Sequence, residues 1–527
     1  MDRTQRFTLV ATGLGLFMIF LDALIVNVAL PDIQRAFAVG EQGLQWVVAA
    51  YSLGMAVFIM SAATLADLQG RRRWYVAGIV VFTLASVACG LAPTLELLNV
   101  ARGVQGVAAA AANVTSLALV SAAFPDPGQK ARAIGIWTAI ASVGTAIGPT
   151  LGGFLVEQLG WRSIFLVNVP VGIVVVWLTL RFVAESRDER PRTFDVGGQL
   201  LFAVAVGAFA YAVIEGPKSG WTSPSIVALF AIAAGGLAYF VRFERRSADP
   251  MMDVTLFGDR AYAMAILTIC MVLFAVYGML LLTTQYLQNV RGHTPQVTGF
   301  MILPFSASVT IVSPLVGRFV GRFGARLPIL CGLAMMIAGF ALLIVGVQGL
   351  PVVLLAGLAL CGTGGALCLT PITTLAMTSV PRDRAGMASG IMSAQRAIGS
   401  TVGFAVMGSI LAAWLSATLE PHLAQALPDP AERRAVASAI VASANPRAHA
   451  AEIGPRQPIV HADPATRAAI VAIAEADFVQ GIRVAFGVAI ALLALVLAAA
   501  SVSFPRGTGA LLTDAQREAA KLAASGG

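Results

Sequence analysis

The chain has 527 residues, of which 58% are hydrophobic and 12% charged, and its mean hydropathy is +0.82. An ordinary soluble chain carries about 25% charged residues, so a soluble globular protein is excluded. The net charge of +8 is scattered through short connecting segments and not gathered on one domain, which speaks against a nucleic-acid partner and makes the charges reporters of membrane orientation.

A hydrocarbon core of about 30 Å takes roughly 20 apolar residues per helical span. Apolar runs between charged or Pro/Gly-rich breaks predict fourteen spans, at about 7–30, 46–66, 74–92, 97–123, 133–157, 163–183, 196–215, 224–243, 262–287, 296–320, 327–347, 350–376, 386–415 and 478–502. The first run is span-length, holds Asp22 and lacks a small-residue cleavage site, so it reads as a span and not as a signal peptide. With the N-terminus inside, 23 Arg and Lys fall on cytoplasmic segments against four in the short outer loops. That asymmetry is the positive-inside pattern; it requires an even span count with both termini cytoplasmic.

Two Gly-plus-Arg turns repeat along the chain, LADLQGRRR (Leu65 to Arg73) and GRFVGRFGAR (Gly317 to Arg326). If each closes the second span of a six-helix half, the chain divides into a first half (1–183), a linker (184–195), an inserted helix pair (196–243), a linker (244–261), a second half (262–502) and a cytoplasmic tail (503–527). Repeated halves around a midplane site are how secondary transporters are built. The connection 416–477 is expected on the outer face as a linker, within which DPAERRAVASAIVAS can form a short surface helix with Pro430 in its first turn.

The five cysteines lie in apolar stretches with no C-x-x-C spacing, and the four histidines, His293, His422, His449 and His461, lie in polar connections. Neither a zinc site nor an intramembrane histidine proton carrier is expected. No G-x-x-x-x-G-K-[ST] loop occurs, so ATP drive within the chain is not indicated. No cofactor is expected.

Charges inside spans carry the chemistry. A carboxylate at bilayer depth costs about 2.5–3.5 kcal/mol on insertion scales and belongs against the bundle interior. At 1.5 Å per residue, Asp22 lies about 13 Å from Pro31 and Arg102 about 8 Å from the start of the fourth span, so the two reach similar depths. Asp22 is read as the proton-coupling group, with an interhelical hydrogen bond as the alternative, and Arg102 as the permanent charge that sets its balance, with a purely structural ion pair as the alternative. Arg102, Gln105, Asn113 and Ser116 share one helical face, which is expected to line a cavity. Ser389, Ser393, Arg396 and Ser400 form a similar face on the thirteenth span; there Arg396 is left open to a substrate anion, a partner carboxylate or backbone carbonyls. Gln45, Trp46, Tyr51, Gln285, Tyr286, Gln288 and Asn289 gather at predicted outer ends, where Trp46 and Tyr286 read as interfacial belt residues and the amides as candidates for a polar vestibule. Gly144, Gly148, Gly152 and Gly153 with Pro149 predict close helix approach and a bend.

LDALIVNVALP (Leu21 to Pro31), QWVVAAY, LADLQGRRR, RGVQGVAAA, GTAIGPTLGG and WRSIFLVNVP (Trp161 to Pro170) occur in this order, with YLQNVRGHTP and AQRAIGS further on. This set resembles the 14-span drug:proton antiporter branch of the major facilitator superfamily along the whole chain. The resemblance implies an all-α polytopic fold of two six-helix halves plus an inserted pair, in the bacterial cytoplasmic membrane, with no enzymatic activity. It implies export of drugs or other amphiphilic molecules, antibiotic-like compounds such as tetracycline or spectinomycin, against protons; transport of an endogenous metabolite or lipid is the alternative. In that reading Asp22 and Arg102 couple protons, and Gln105, Asn113, Ser116, Gln285 and Arg396 line the substrate cavity. Asp67, Gly70 and Arg71 latch one access state, and Gly144, Gly148 and Pro149 serve gating in an exporter. Ala63 and Leu68 depart from the family's usual Gly and basic residue in the latch. The expected partners are a small drug-like substrate, protons and membrane lipids, with the chain a monomer.

Overall fold

The computed structural model describes residues 1–187, 195–247, 250–378, 380, 385–443, 446 and 464–504. The predicted tail (503–527) lies almost wholly outside them, as do residues 188–194 of the first linker, His449, His461 and the side chain of Ser389.

The helices in order are α1 (Arg3–Phe37), α2 (Glu41–Gln69), α3 (Arg71–Gly90), α4 (Leu95–Ala123), α5 (Pro127–Leu159), the short α6 (Ser163–Leu166) running into α7 (Asn168–Phe182), α8 (Val196–Ser219), α9 (Pro224–Glu244), α10 (Arg260–Gln285), α11 (Pro295–Phe323), α12 (Arg326–Gly346), α13 (Pro351–Thr378), α14 (Ala385–His422), α15 (Pro430–Ser443) and α16 (Pro464–Ser503). No strand occurs among the described residues. Thirteen helical stretches among them are long and apolar enough to span a bilayer. The 33-residue α5, packed between α1 and α11, makes a fourteenth long helix. Local chemistry sets the ends: Asp2 accepts from Gln5 N at 2.7 Å to cap α1, and Asp126 caps α5 with Pro127 at its first position.

Several helices run past their predicted ends. α1 continues through Pro31 to a left-handed C-cap at Ala38. α14 reaches His422 and α16 starts at Pro464, so the connection expected over 416–477 is shorter. Forty residues at 1.5 Å each make α16 about 60 Å long, about twice the hydrocarbon thickness. Its first turns carry Arg467, Glu475 and Asp477 and continue the helix outside the apolar layer, which is why hydropathy missed them. The surface helix is present as α15. Its Val436 and Ile440 pack with Leu419, Leu423 and Leu427 below it and with Ile470 of α16.

The arginine-rich connections α2–α3 and α11–α12 emerge on one side, here the basic face. α8 and α9 pack on each other, and α8 lies against both α2 and α14. Gln199 Nε2 donates to Val57 O at 2.9 Å, Ser61 bonds Gln199, Trp46 Nε1 donates to Glu215 Oε1 at 3.0 Å, and Ser409 Oγ donates to Val213 O at 3.0 Å. Trp46 is therefore a docking residue for the inserted pair and not a belt residue. Tyr286 is also no belt residue: it is buried, and its hydroxyl accepts from Arg291 Nε at 2.7 Å.

Candidate functional site

Asp22 sits inside α1 with no solvent exposure, and so does Arg102 in α4. Arg102 Nη1 donates to Asp22 Oδ2 at 2.5 Å and to Gln105 Oε1 at 2.8 Å. Gln105 Nε2 donates to Asp22 Oδ1 at 3.0 Å, and Asn168 Nδ2 to the same oxygen at 2.8 Å. Both carboxylate oxygens accept and neither donates, the bonding pattern of the ionised acid. Ser86 Oγ completes the cluster by accepting from Gln105 and Asn168 and donating to Phe165 O at 2.8 Å.

Arg102 is tied to α2 as well. Its Nε donates to Val47 O at 3.1 Å and its guanidinium lies 4.3 Å from the centre of the Tyr51 ring, a cation–π distance. Tyr51 is held by a bond from its hydroxyl to Ile19 O at 3.3 Å. One nitrogen, Nη2, is buried without a partner.

The helical stripe of α4 divides by depth. Arg102 and Gln105 lie in this closed cluster, Asn113 is half-buried, and Ser116 is buried with its hydroxyl donating to Asn113 O at 2.7 Å. Gln285 is buried at the far end of α10. Arg396 stands apart on α14, its Nη2 donating to Thr373 Oγ1 at 2.7 Å. Of the three partners left open for it, neither a carboxylate nor a backbone carbonyl is present among the described residues.

The small-residue run of α5 faces α1 and α11. A Cβ at Gly144 would fall 2.6 Å from Phe17 O, one at Gly148 3.3 Å from Leu24 Cβ, one at Gly153 2.8 Å from Gln296 Cα, and one at Gly299 3.0 Å from Thr150 Cα. Pro149 lies inside α5, and its carbonyl faces Gly299. Other contacts join the first and last six spans here, away from the basic face. Gln296 N donates to Glu157 Oε2 at 3.2 Å, Gln288 Nε2 to Val28 O at 2.9 Å, and Leu281 and Phe404 pack among Leu21, Ile25 and Val48. The amides expected to form a vestibule are thus part of a closed surface: Gln45, Gln285 and Asn289 are buried.

At the basic face Asp67 Oδ1 accepts from Arg71 Nε at 2.8 Å. Between them Gly70 has φ +115°, a conformation open to glycine and strained for other residues. The turn docks onto Glu185, which sequence reasoning missed. Glu185 Oε1 accepts from Arg72 N at 2.9 Å, Arg71 N donates to Ser186 O at 2.9 Å, and Arg73 Nε lies 3.9 Å from Glu185. The missed Asn168 had a signal, an amide within the apolar run of WRSIFLVNVP.

Residues 12–404 match the Major Facilitator Superfamily model. The chain is 68% identical to Multidrug resistance protein Stp of Mycobacterium tuberculosis, over 96% of this chain and 93% of that protein. It is 46% identical to the Drug efflux pump JefA of the same organism, over 96% and 99%. Among solved structures, a bacterial homolog of the human lysosomal transporter Spinster superposes with a TM-score of 0.63 at 17% identity, covering 96% of this chain and 99% of that one. Two six-helix halves with an inserted pair, a buried acid–base cluster inside the first half and these matches lead to one assignment: the chain belongs to the Major Facilitator Superfamily and is a membrane transporter, not an enzyme.

Proposed function

We propose that the chain exports drug-like amphiphilic small molecules in exchange for protons across the bacterial cytoplasmic membrane, as a monomer in the lipid bilayer, with the basic face and both termini in the cytoplasm. The observation that carries the coupling is the fully buried Asp22–Arg102 pair at 2.5 Å. The export direction is supported by the drug-efflux names of the relatives and by the glycine-dense contact of α5 with α1 and α11.

The chemistry follows from the bonding. Asp22 accepts three side-chain donors, from α4 and α7. A proton arriving on it removes its negative charge and converts one acceptor oxygen into a donor, so the cluster has to rearrange. Arg102 then loses its counter-ion and keeps Val47 O and the Tyr51 ring, both on α2, together with Gln105 Oε1 on its own helix and the Phe165 ring. α2 packs on α14 and α8, and in this reading the rearrangement acts beside the contact between the proposed halves 1–183 and 262–502. Gly153 and Gly299 close the outer side of that contact, and Asp67, Gly70 and Arg71 hold the cytoplasmic turn. Asn113, Ser116 and Arg396 are the substrate-side residues in this scheme, while Gln105 belongs to the buried acid cluster and Gln285 to the closed outer contact; tetracycline and spectinomycin are the first compounds to test.

Purified protein in proteoliposomes tests the coupling with tetracycline as substrate. Asp22→Asn keeps size and much of the hydrogen bonding but cannot ionise. It is expected to insert and bind substrate while losing efflux driven by ΔpH. If it concentrates substrate under ΔpH alone, coupling lies with another acid such as Glu96 or Asp67.

A further inference from the structure

Arg396 lies eleven residues into α14, which starts at Ala385 on the basic side. That is about 16 Å along the helix, near the middle of an apolar layer about 30 Å thick. Side chains on a helix lean towards its N-terminus, and the guanidinium accordingly reaches back to Thr373 on α13. The hydroxyl of Thr373 is its sole hydrogen-bond partner among the described residues, and Nε is buried with none. The contrast with Arg102, which faces a carboxylate, extends to the other helices of the same half up to α14. Between Asp259 and Glu420 the sequence holds a single acid, Asp383, thirteen positions before Arg396 in the connection outside the described residues. Neither α10, α11, α12 nor α13 contains an Asp or Glu.

A guanidinium at this depth costs about 2.5–3.5 kcal/mol on insertion scales and is held there for a purpose. A neutral hydroxyl does not offset a charge. The planar fork of N–H groups fits an oxyanion in two-point fashion, which an ammonium does not. The residue is half-buried, and of its guanidinium nitrogens Nη2 is bonded to Thr373 and Nε is buried, which leaves Nη1 to meet a ligand. We infer that Arg396, with Thr373 beside it, is the docking point for the anionic head group of an amphiphilic organic anion, a carboxylate, sulfonate or enolate, and that the transported class includes weak organic acids. The inference rests on the exporter reading above and deepens it by naming the charge its substrate presents.

The test is equilibrium binding to the full-length protein in lipid nanodiscs without a proton gradient, read by fluorescence anisotropy with two probes of one xanthene skeleton, anionic fluorescein and cationic rhodamine 123. Loss of one charge-assisted hydrogen bond predicts that Arg396→Gln weakens fluorescein binding by about tenfold or more, with rhodamine 123 unchanged or tighter. Arg396→Lys is expected to retain part of the fluorescein affinity, and Arg396→Glu to invert the preference between the probes. Thr373→Val leaves the charge in place but frees the guanidinium from its anchor, and is expected to weaken fluorescein binding by about threefold with rhodamine 123 unaffected, so it reports on the site even if Arg396→Gln does not fold. Fluorescein binding by Arg396→Gln at wild-type strength, equal losses for both probes, collapse of fluorescein binding in Thr373→Val, or no saturable fluorescein binding by the wild type would each overturn the inference. No proton drive enters this measurement, so its failure leaves ΔpH-driven efflux untouched, and loss of that efflux reading leaves the binding result standing.

Discussion

Gln105 and Asn168 converge on the same two atoms: each amide nitrogen donates both to Asp22 Oδ1 and to Ser86 Oγ. One amide comes from α4 and the other from the start of α7, so α1, α4 and α7 meet at a single carboxylate, and α3 joins them through Ser86. Hydrogen bonds to charged groups contribute about 1.5–3 kcal/mol each. Asn168→Ala is therefore expected to lower ΔpH-driven transport by about tenfold or more, and Asn168→Asp, which sets a second carboxyl against Asp22, to lower it further. Equal activity of Asn168→Ala and wild type in proteoliposomes would show that Arg102 and Gln105 suffice to position the acid.

The Tyr51 ring and its hydroxyl do separable jobs. Tyr51→Phe keeps the face under Arg102 and loses the bond to Ile19 O; Tyr51→Leu loses both. A desolvated cation–π contact contributes about 2 kcal/mol, so Tyr51→Leu should cost over tenfold in transport rate and Tyr51→Phe only a few-fold. Similar losses in the two variants would make the hydroxyl the part that matters.

Closure away from the basic face depends on backbone contact at Gly153 and Gly299. Overpacking costs typically about 1–3 kcal/mol, and the atoms met at Gly153 are backbone, which cannot swing aside. Gly153→Ala should shift the population towards an open outer side. The check is labelling of a cysteine at buried Asn289 by an impermeant thiol reagent in intact cells, expected to be faster in the Gly153→Ala background than in wild type.

On the basic face the acid that receives the α3 N-terminus is Glu185. A carboxylate in a helix's first turn is worth about 0.3–1 kcal/mol at an exposed site, which predicts a two- to fivefold fall in transport rate for Glu185→Ala with unchanged substrate affinity. Asp67→Asn should have a smaller effect, because among the described residues Asp67 pairs with Arg71 alone, across its own turn. A larger effect for Asp67→Asn would return the latch to that residue.

Orientation is checked at α15. Ser438 is exposed on this helix, so Ser438→Cys should react with an impermeant reagent in intact cells; reaction only after lysis would invert the topology.

The span pattern and the site were legible to different degrees for physical reasons. Hydropathy finds apolar runs, so it located the bundle, but it stops where a helix leaves the lipid, which is why α14 and α16 outran their predicted ends. Asp22 and Arg102 were found because a charge in an apolar run is costly wherever it stands. Asn168 was not singled out, since an amide is a weaker signal and its partner lies on α1, far off in sequence. Glu185 escaped because it lies in a polar connection where an acid carries no signal at all; only the tertiary docking of the Gly70 turn gives it a role. Trp46 was misread because an indole near a span end normally meets the interface, and here it meets Glu215.

The placement of α8 has a mechanical meaning. It is bonded to α2 through Gln199 and through the Trp46–Glu215 pair, and to α14 through Ser409, whose hydroxyl reaches the carbonyl of Val213. A helix that grips both sides of a joint acts as a splint: any rocking of one body on the other has to break or stretch one of its two grips. Among the described residues the hydrogen bonding to α14 is one neutral bond, beside packing of Val213 and Ile214 with Ala405, whereas the hydrogen bonding to α2 includes a side-chain carboxylate and two bonds at Gln199. With apolar packing on both sides, the polar bonds decide the difference, and the joint is expected to part at α14, with α8 and α9 riding on α2 and the inserted pair adding a load that the six-plus-six arrangement lacks.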